Sequence, residues 1–165
     1  MNFDDLLKKR RSVRHYLRTP VPRNLVEDLI LAASLSPVSC NLQLTKYVVI
    51  DDINILNKLS KVSYKFKYSP CCIIVLHDSR FSIERSSGIM TAGMAVENLL
   101  LKAEEIGLGA CAMAGFGGDE SIKNILGIPN YMDILLAISI GYPDRTFVPN
   151  IIPKISTKER YSFND

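Results

Sequence analysis

Apolar residues along the chain recur either at helical spacing or in short continuous runs, which predicts helices alternating with buried strands. From about Arg23, apolar side chains fall at the i, i+3, i+4, i+7 positions of one helix face: Val26, Leu29, Ile30 and Ala33. Residues 71–76, with the sequence CCIIVL, show no alternation with polar residues. Such a run is typical of a strand that is covered on both faces.

The same patterns predict an order of helix, helix, strand, helix, strand, long helix, strand, helix, strand and a C-terminal arm. The helices are expected over 3–9, from about 23 to 34, over 53–62, from 88 or 89 to about 106, and from 119 or 120 to 126. The strands are expected over 46–50 and 71–76, within the small-residue stretch that begins at 108, and over 134–141. This order predicts one domain over residues 1–165 in which helices cover a sheet.

The longest predicted helix, opened by Gly88 or Ile89 and reaching about Ile106, is apolar around nearly its whole circumference. A helix of this kind is normally buried on all sides. In a chain of 165 residues it therefore indicates either a core wrapped around the helix or an interface between subunits. Gly107 follows as a C-cap, since glycine readily adopts the left-handed conformation.

Composition narrows the possible functions without changing this picture. Hydrophobic residues make up 47% of the chain and charged residues 22%, as in ordinary globular proteins. A net charge of +3 favours a phosphorylated small molecule but is too weak to indicate nucleic acid. The acidic N-terminus does not resemble a signal peptide, and no apolar run reaches the roughly 18 residues of a membrane span, so we expect a cytoplasmic protein without a membrane partner.

The four cysteines do not form a pattern that binds metal or builds a disulfide framework. No C-x-x-C pair occurs, and the adjacent Cys71 and Cys72 lie in a predicted strand, where neighbouring side chains point to opposite faces. Only two histidines are available as further ligands. We therefore expect buried free thiols and no metal site.

A short basic stretch, RRSVRHY over residues 10–16, provides the first candidate site. Arg10, Arg11, Ser12 and Arg14 together offer several fixed donors that suit a phosphate. If the first helix ran on, Arg10 and Arg14 would share one face; if it ends here, the side chains fan out from a turn. Considered alone, the stretch is more typical of a solvated, cationic helix end.

Three further stretches combine polar or small residues in ways that permit binding. Ser39, Asn41 and Gln43 form a polar loop whose carboxamides could read the edge of a heterocycle, or could simply cap a turn. Small residues over 108–118 let backbone N–H groups approach a ligand, although their spacing is not the G-x-G-x-x-G dinucleotide motif. The alternating YKFKY over 64–68 indicates a strand edge, a basic flap near an anion, or a solvated connection with buried rings.

Taken together, four stretches resemble the nitroreductase family of flavin mononucleotide (FMN) enzymes. RRSVRHY resembles the family's N-terminal R-x-S-x-R signature, and SPVSCNLQ its second signature, which ends in N-x-Q. MAVENLLLKAEEIGLGACAMAGF resembles the central helix and the strand after it, and LLAISIGYPD the last core strand. The four motifs cover nearly the whole chain in the family's order and spacing.

The resemblance implies a fold, an assembly and an activity. The fold would be α+β (an α/β sandwich), with a mostly antiparallel central sheet flanked by helices in an intertwined homodimer. The long helix would form the dimer core, and residues 143–165 would extend as an arm onto the partner subunit. FMN would bind at the subunit interface and pass hydride from NADH or NADPH to nitroaromatics, quinones or similar acceptors by a ping-pong mechanism. The alternative is a flavin-binding store or sensor without turnover.

The resemblance also assigns roles to individual residues. Arg10, Arg11 and Ser12 would hold the flavin phosphate and ribityl chain, with Arg14 near the pyrimidine edge. The other subunit would supply Ser39, Asn41 and Gln43, and Ala114 and Gly115 would present their backbone near flavin N5. Lys154, or else Lys158 or Arg160, would contact the phosphate, and no side chain would serve as a catalytic acid or base.

The chain departs from the family pattern at several positions. The family commonly continues N-x-Q with Pro-Trp, where this chain has Leu44-Thr45 and contains no tryptophan at all. Met90 occupies a position in the long helix that is often Asp. Little sequence lies between Val75 and Met90, so a shallow substrate pocket is expected.

Overall fold

In the computed structural model of the protein, residues 2–81 and 84–147 are described, Arg85 by its backbone alone. Within these ranges the order of helices and strands is the predicted one, and most boundaries agree within two residues. The five helices are α1 (Phe3–Lys9), α2 (Arg23–Ser34), α3 (Ile53–Val62), α4 (Arg85–Glu105) and α5 (Asp119–Leu126). The four strands are β1 (Thr45–Ile50), β2 (Cys71–Asp78), β3 (Gly109–Met113) and β4 (Met132–Gly141).

The four strands form one sheet in the order β1-β2-β4-β3, and every neighbouring pair is antiparallel. Strands β2 and β4 lie at the centre, with Ile73 opposite Ile138 in their register. Every residue of β2 is buried, as its continuous apolar run predicts. The α+β fold with an antiparallel sheet between helices is confirmed.

Each face of the sheet has its own hydrophobic core. Helices α2 and α4 pack on one face, where Cys71, Ile73 and Val75 share one hydrophobic cluster with Leu99. Residues of α3 and α5 lie against the other face. Cys71 and Cys72 belong to different cores, so the predicted divergence of their side chains is confirmed.

Helix α4 begins earlier than the sequence predicted. It starts at Arg85 rather than at Gly88 or Ile89. The prediction was late because the first turn of the helix has a polar sequence. The carbonyl oxygen of Glu84 accepts hydrogen bonds from the N–H group of Ser87 at 3.2 Å and from its hydroxyl at 2.8 Å. Gly88 therefore lies inside the helix, where a Cβ atom would approach the His77 ring to 2.6 Å.

Helix α4 has one buried face and one exposed apolar face. Ala92, Ala95 and Leu99 pack into the core. Ile89 in the first turns and Met90 and Met94 on the other side are 53%, 62% and 42% exposed. A single chain thus leaves part of the apolar circumference that the sequence pattern indicated uncovered.

The end of the basic stretch meets the C-terminal end of the described chain. Tyr16 pairs with Pro143 in an antiparallel bridge, the Asp144 N–H group donates to the His15 carbonyl oxygen at 3.0 Å, and the Phe147 ring stacks on His15. Residues 148–165, including Lys154, lie outside the described residues, so the course of the arm stays a prediction. Among the residues that are described, no helix is both long and apolar enough to cross a membrane.

Candidate functional site

The basic stretch leaves helix α1 and lies extended along the edge of strand β3. Helix α1 ends at Lys9, so the arrangement in which Arg10 and Arg14 share a helix face is wrong. Ser12 instead forms a parallel bridge with Ala110, whose carbonyl oxygen accepts the Val13 N–H group at 3.1 Å. The side chains along this stretch are therefore displayed from extended backbone beside the sheet.

The close approach of this stretch depends on the glycine at the start of β3. A Cβ atom on Gly109 would lie 2.7–2.9 Å from side-chain atoms of Val13, which is too close for real side chains. Glycine thus removes the atom that would push residues 12 and 13 away from the strand.

The two arginines before Ser12 have different partners. The Arg10 side chain is mostly buried, and its Nε lies 3.5 Å from Oε1 of Glu97 on helix α4. The Arg11 guanidinium turns back and donates to the carbonyl oxygens of Lys8 at 2.6 Å and Arg10 at 2.8 Å. Arg11 thus caps the C-terminus of α1, where a cation is favourable.

Arg14 and the end of strand β3 line a cavity of about 320 Å³. Ala112, Met113 and Ala114 contribute to the wall of this cavity. Nη1 of Arg14 donates to the Ser12 carbonyl oxygen at 3.4 Å, and no carboxylate is found among the described residues that line the cavity. The structure therefore brings together two of the groups predicted from sequence, the Arg14 cation and the Ala114 backbone.

Lys65 joins this cavity from the segment before β2, and the sequence analysis did not assign it to the site. Its Nζ donates to the carbonyl oxygens of Ala114 at 2.9 Å and Gly115 at 3.4 Å. Gly115 has a left-handed backbone, with φ at 61°, and its N–H and carbonyl groups belong to the turn that follows β3. Lys65 therefore fixes the backbone that was predicted to face the flavin.

Tyr16 and Ser139 also line the cavity. The Tyr16 hydroxyl lies 2.8 Å from the Ser139 hydroxyl and also bonds to the Val13 carbonyl oxygen. Burial raises the pKa of Tyr16 well above its ordinary value. The phenol therefore keeps its proton and serves as a fixed hydrogen-bonding group.

The loop between α2 and β1 adopts unusual backbone angles. Cys40, Asn41 and Gln43 have φ values of 48°, 54° and 52°, in the left-handed region that most side chains avoid. The Gln43 amide donates to the Asn41 side-chain oxygen at 3.4 Å. Such conformations persist only where the surroundings hold them, and they are common at binding sites.

This loop borders a second, much smaller cavity of about 20 Å³, which Ser39 and Gln43 line from one side. On the other side lie Thr45 and His77, a pair of opposite residues on β1 and β2. Among the described residues, their buried Oγ1, Nδ1 and Nε2 atoms have no hydrogen-bond partner. Among the described residues, none lines both this cavity and the Arg14 cavity, so the described part of one chain keeps the two halves of the predicted site apart.

With the geometry established, comparison with known proteins identifies the family. The sequence profile of the nitroreductase family matches residues 7–67 and 63–142. The chain belongs to the nitroreductase family. Relatives named NAD(P)H nitroreductase or NADPH-dependent oxidoreductase show that the chain is an oxidoreductase, and the resemblance inferred from the four motifs is confirmed.

Several relatives of this nitroreductase-family chain cover most of its length. A Methanothermobacter thermautotrophicus protein, provisionally named NADH dehydrogenase/NAD(P)H nitroreductase, is 29% identical over 87% of this chain and 78% of its own. An NADH dehydrogenase from Thermus thermophilus is 25% identical, covering 86% of this chain and 87% of the relative.

Solved structures of the family have the same fold. An FMN-dependent nitroreductase from Clostridium difficile superposes with a TM-score of 0.83 at 27% identity, covering 97% of this chain and 98% of the other. A Desulfovibrio desulfuricans chain that was solved in complex with FMN reaches a TM-score of 0.87 at 22% identity, covering 100% and 98%.

We predict that Cys40 is the one cysteine of the folded, FMN-free protein that reacts quickly with a thiol reagent. Cys40 is exposed, whereas the other three cysteines are buried. Burial raises the pKa of Cys71 to about 12, so at pH 8 almost no reactive thiolate is present there. Titration with a chromogenic disulfide at pH 8 should release about one equivalent per folded chain, and Cys40→Ser should abolish it. Rapid release of several equivalents from the folded protein would contradict this assignment.

Proposed function

We propose that this nitroreductase-family protein is an FMN-dependent oxidoreductase that works as a homodimer. It passes hydride from NADH or NADPH to nitroaromatic, quinone or similar acceptors by a ping-pong mechanism. The observation that carries this proposal is the Arg14 cavity, whose described lining places a cation beside the backbone at the end of β3 and includes no carboxylate. The Clostridium difficile relative, which is FMN-dependent, supports the choice of cofactor.

The residues of the cavity fit the ring system of FMN. A flavin ring needs a flat space, a polar group for its pyrimidine edge and backbone groups near N5, and Arg14 and Ala114 line the same cavity. Among the described residues that line this cavity there is no Asp or Glu. Positive charge at the pyrimidine edge stabilises the anionic reduced flavin, which raises its redox potential.

The phosphate of FMN would bind Arg10, Ser12 and Lys154, with Arg11 at the edge of the site. Nε of Arg10 lies 3.5 Å from the carboxylate of Glu97, which is half exposed. An ion pair of this kind contributes little and is easily rearranged. A phosphate, with more charge and more acceptor atoms, can therefore compete for the Arg10 guanidinium.

The second subunit of the homodimer would complete the site with Ser39, Asn41 and Gln43. Two observations support this arrangement. The exposed apolar face of α4, formed by Ile89, Met90 and Met94, is the kind of surface that a partner covers. The loop over 39–43 has strained backbone angles, yet its residues are not among those that line the Arg14 cavity of their own chain.

The mechanism requires little acid–base chemistry from the protein. When bound, FMN supplies the hydride-transfer chemistry. The chain positions and tunes it: Arg14 places positive charge, Lys65 holds the backbone of Ala114 and Gly115, and Tyr16 keeps its proton. Reductant and acceptor would occupy this cavity one after the other, and this order leads to ping-pong kinetics. The cytoplasmic location expected from the sequence stays a prediction.

Anaerobic titration tests the activity directly. Protein loaded with FMN should be yellow, and one equivalent of NADH or NADPH per flavin should bleach it; adding a quinone or a nitroaromatic should then restore the colour. Protein that binds FMN but is bleached by neither nicotinamide would instead be a flavin store or sensor. Protein that takes up no FMN would contradict the proposal as a whole.

We predict that Arg10→Ala weakens FMN binding by about 1.5–3 kcal/mol, the range for a hydrogen bond to a charged group. Arg23→Ala is the matched control, because Arg23 is exposed and its nearest carboxylate, that of Asp51, is 3.9 Å away. Flavin fluorescence quenching gives both dissociation constants. Equal affinity for the Arg10→Ala variant and the wild-type protein would remove Arg10 from the site.

A further inference from the structure

The segment Tyr64–Tyr68 forms part of the wall of the Arg14 cavity. Tyr64–Phe66 forms a turn of 3-10 helix, so the strand considered from its alternating sequence is wrong. Phe66 is fully buried and meets Phe116 edge-on at 5.4 Å between ring centroids. This anchor fixes the turn, from which Lys65 reaches the cavity.

Two aromatic rings of this segment line the cavity while remaining open to solvent. Tyr64 is 72% exposed and Tyr68 is 60% exposed, and both contribute to the cavity wall. The Lys67 ammonium lies 5.4 Å from the centroid of the Tyr68 ring, which restricts that ring. Exposed tyrosines on a fixed turn are suited to stacking against a flat aromatic molecule.

The charge of the cavity is positive. Arg14 and Lys65 both line it, and none of its described lining residues is Asp or Glu. Among the described residues, the hydrogen-bond partners of both cations are backbone carbonyl oxygens, which orient a cation without neutralising it. In the proposed function Arg14 serves the flavin, which leaves the Lys65 charge available for the molecule that exchanges electrons with it.

We propose that Lys65, together with Tyr64 and Tyr68, selects flat aromatic acceptors that carry a negative charge. This inference rests on the proposed function and specifies its substrate class. Stacking on the tyrosines accepts any flat ring, while the Lys65 ammonium favours one that carries a carboxylate or sulfonate.

A matched pair of acceptors separates charge from shape. 4-Nitrobenzoate and 4-nitrobenzamide have nearly the same size and differ by one negative charge. Their affinity for the oxidised, FMN-loaded protein is measured without reductant, from the change in flavin absorbance. Wild-type protein should bind 4-nitrobenzoate more tightly, and added salt should weaken only that ligand, because salt screens charge.

Substitution of Lys65 should change one ligand and spare the other. Lys65→Met should weaken the binding of 4-nitrobenzoate about fivefold, which is the size of a partly exposed charge interaction. The affinity for 4-nitrobenzamide should stay within about twofold of the wild-type value. Lys65→Arg should keep the preference. Lys61→Met is the control, since Lys61 lies in the last turn of α3 and is not part of the cavity wall.

Other outcomes would overturn the inference. Equal weakening of both ligands by Lys65→Met would mean that Lys65 only holds the turn at Ala114, and no preference in the wild type would exclude charge selection. A loss confined to flavin reduction by NADH or NADPH would assign the cation to the phosphates of the reductant. If the protein is yellow and reducible but binds both acceptors equally well, only this inference fails. If it takes up no FMN, the proposed function fails first.

Discussion

The backbone pairing between the basic N-terminal stretch and strand β3 determines the position of the candidate site. Hydrogen bonding of Val13 to Ala110 holds residues 12–14 against the sheet edge, and Gly109 supplies the space for it. Arg14 is thereby brought beside the end of the same strand, where Ala114 begins the turn that Lys65 holds. A helical continuation of α1 would have moved the arginine away from this backbone.

The electrostatics of the cavity follow from this arrangement. Backbone carbonyl oxygens are the hydrogen-bond partners of Arg14 and Lys65, so two cations are held close to one cavity without a carboxylate in its described wall. Keeping like charges together costs free energy unless a negative ligand compensates them. Binding of an anionic cofactor or substrate in this cavity would therefore stabilise the folded protein. Arg10, by contrast, already has Glu97 nearby, and its proposed role requires that pair to rearrange.

The sequence predicted most of the fold because its local patterns agree with the packing. The buried run over 71–76 and the stripe from Val26 to Ala33 both lie where their periods place them. The start of α4 was missed because serines and Glu84 make its first turn look like a loop. The site was predictable only in part: RRSVRHY and SPVSCNLQ carry local signals, whereas the contact of Lys65 with Ala114 joins residues that are 49 positions apart.

The central claim is that each flavin site takes its basic side from one subunit and its carboxamide loop from the other. Mixed dimers of Arg10→Ala chains with Asn41→Ala chains test it most directly. If the two sides come from different subunits, one of the two sites in a mixed dimer is free of both substitutions. Fluorescence titration should then show one flavin per dimer bound with wild-type affinity, although each variant alone binds weakly. Mixed dimers that bind flavin no better than the separate variants would contradict the claim.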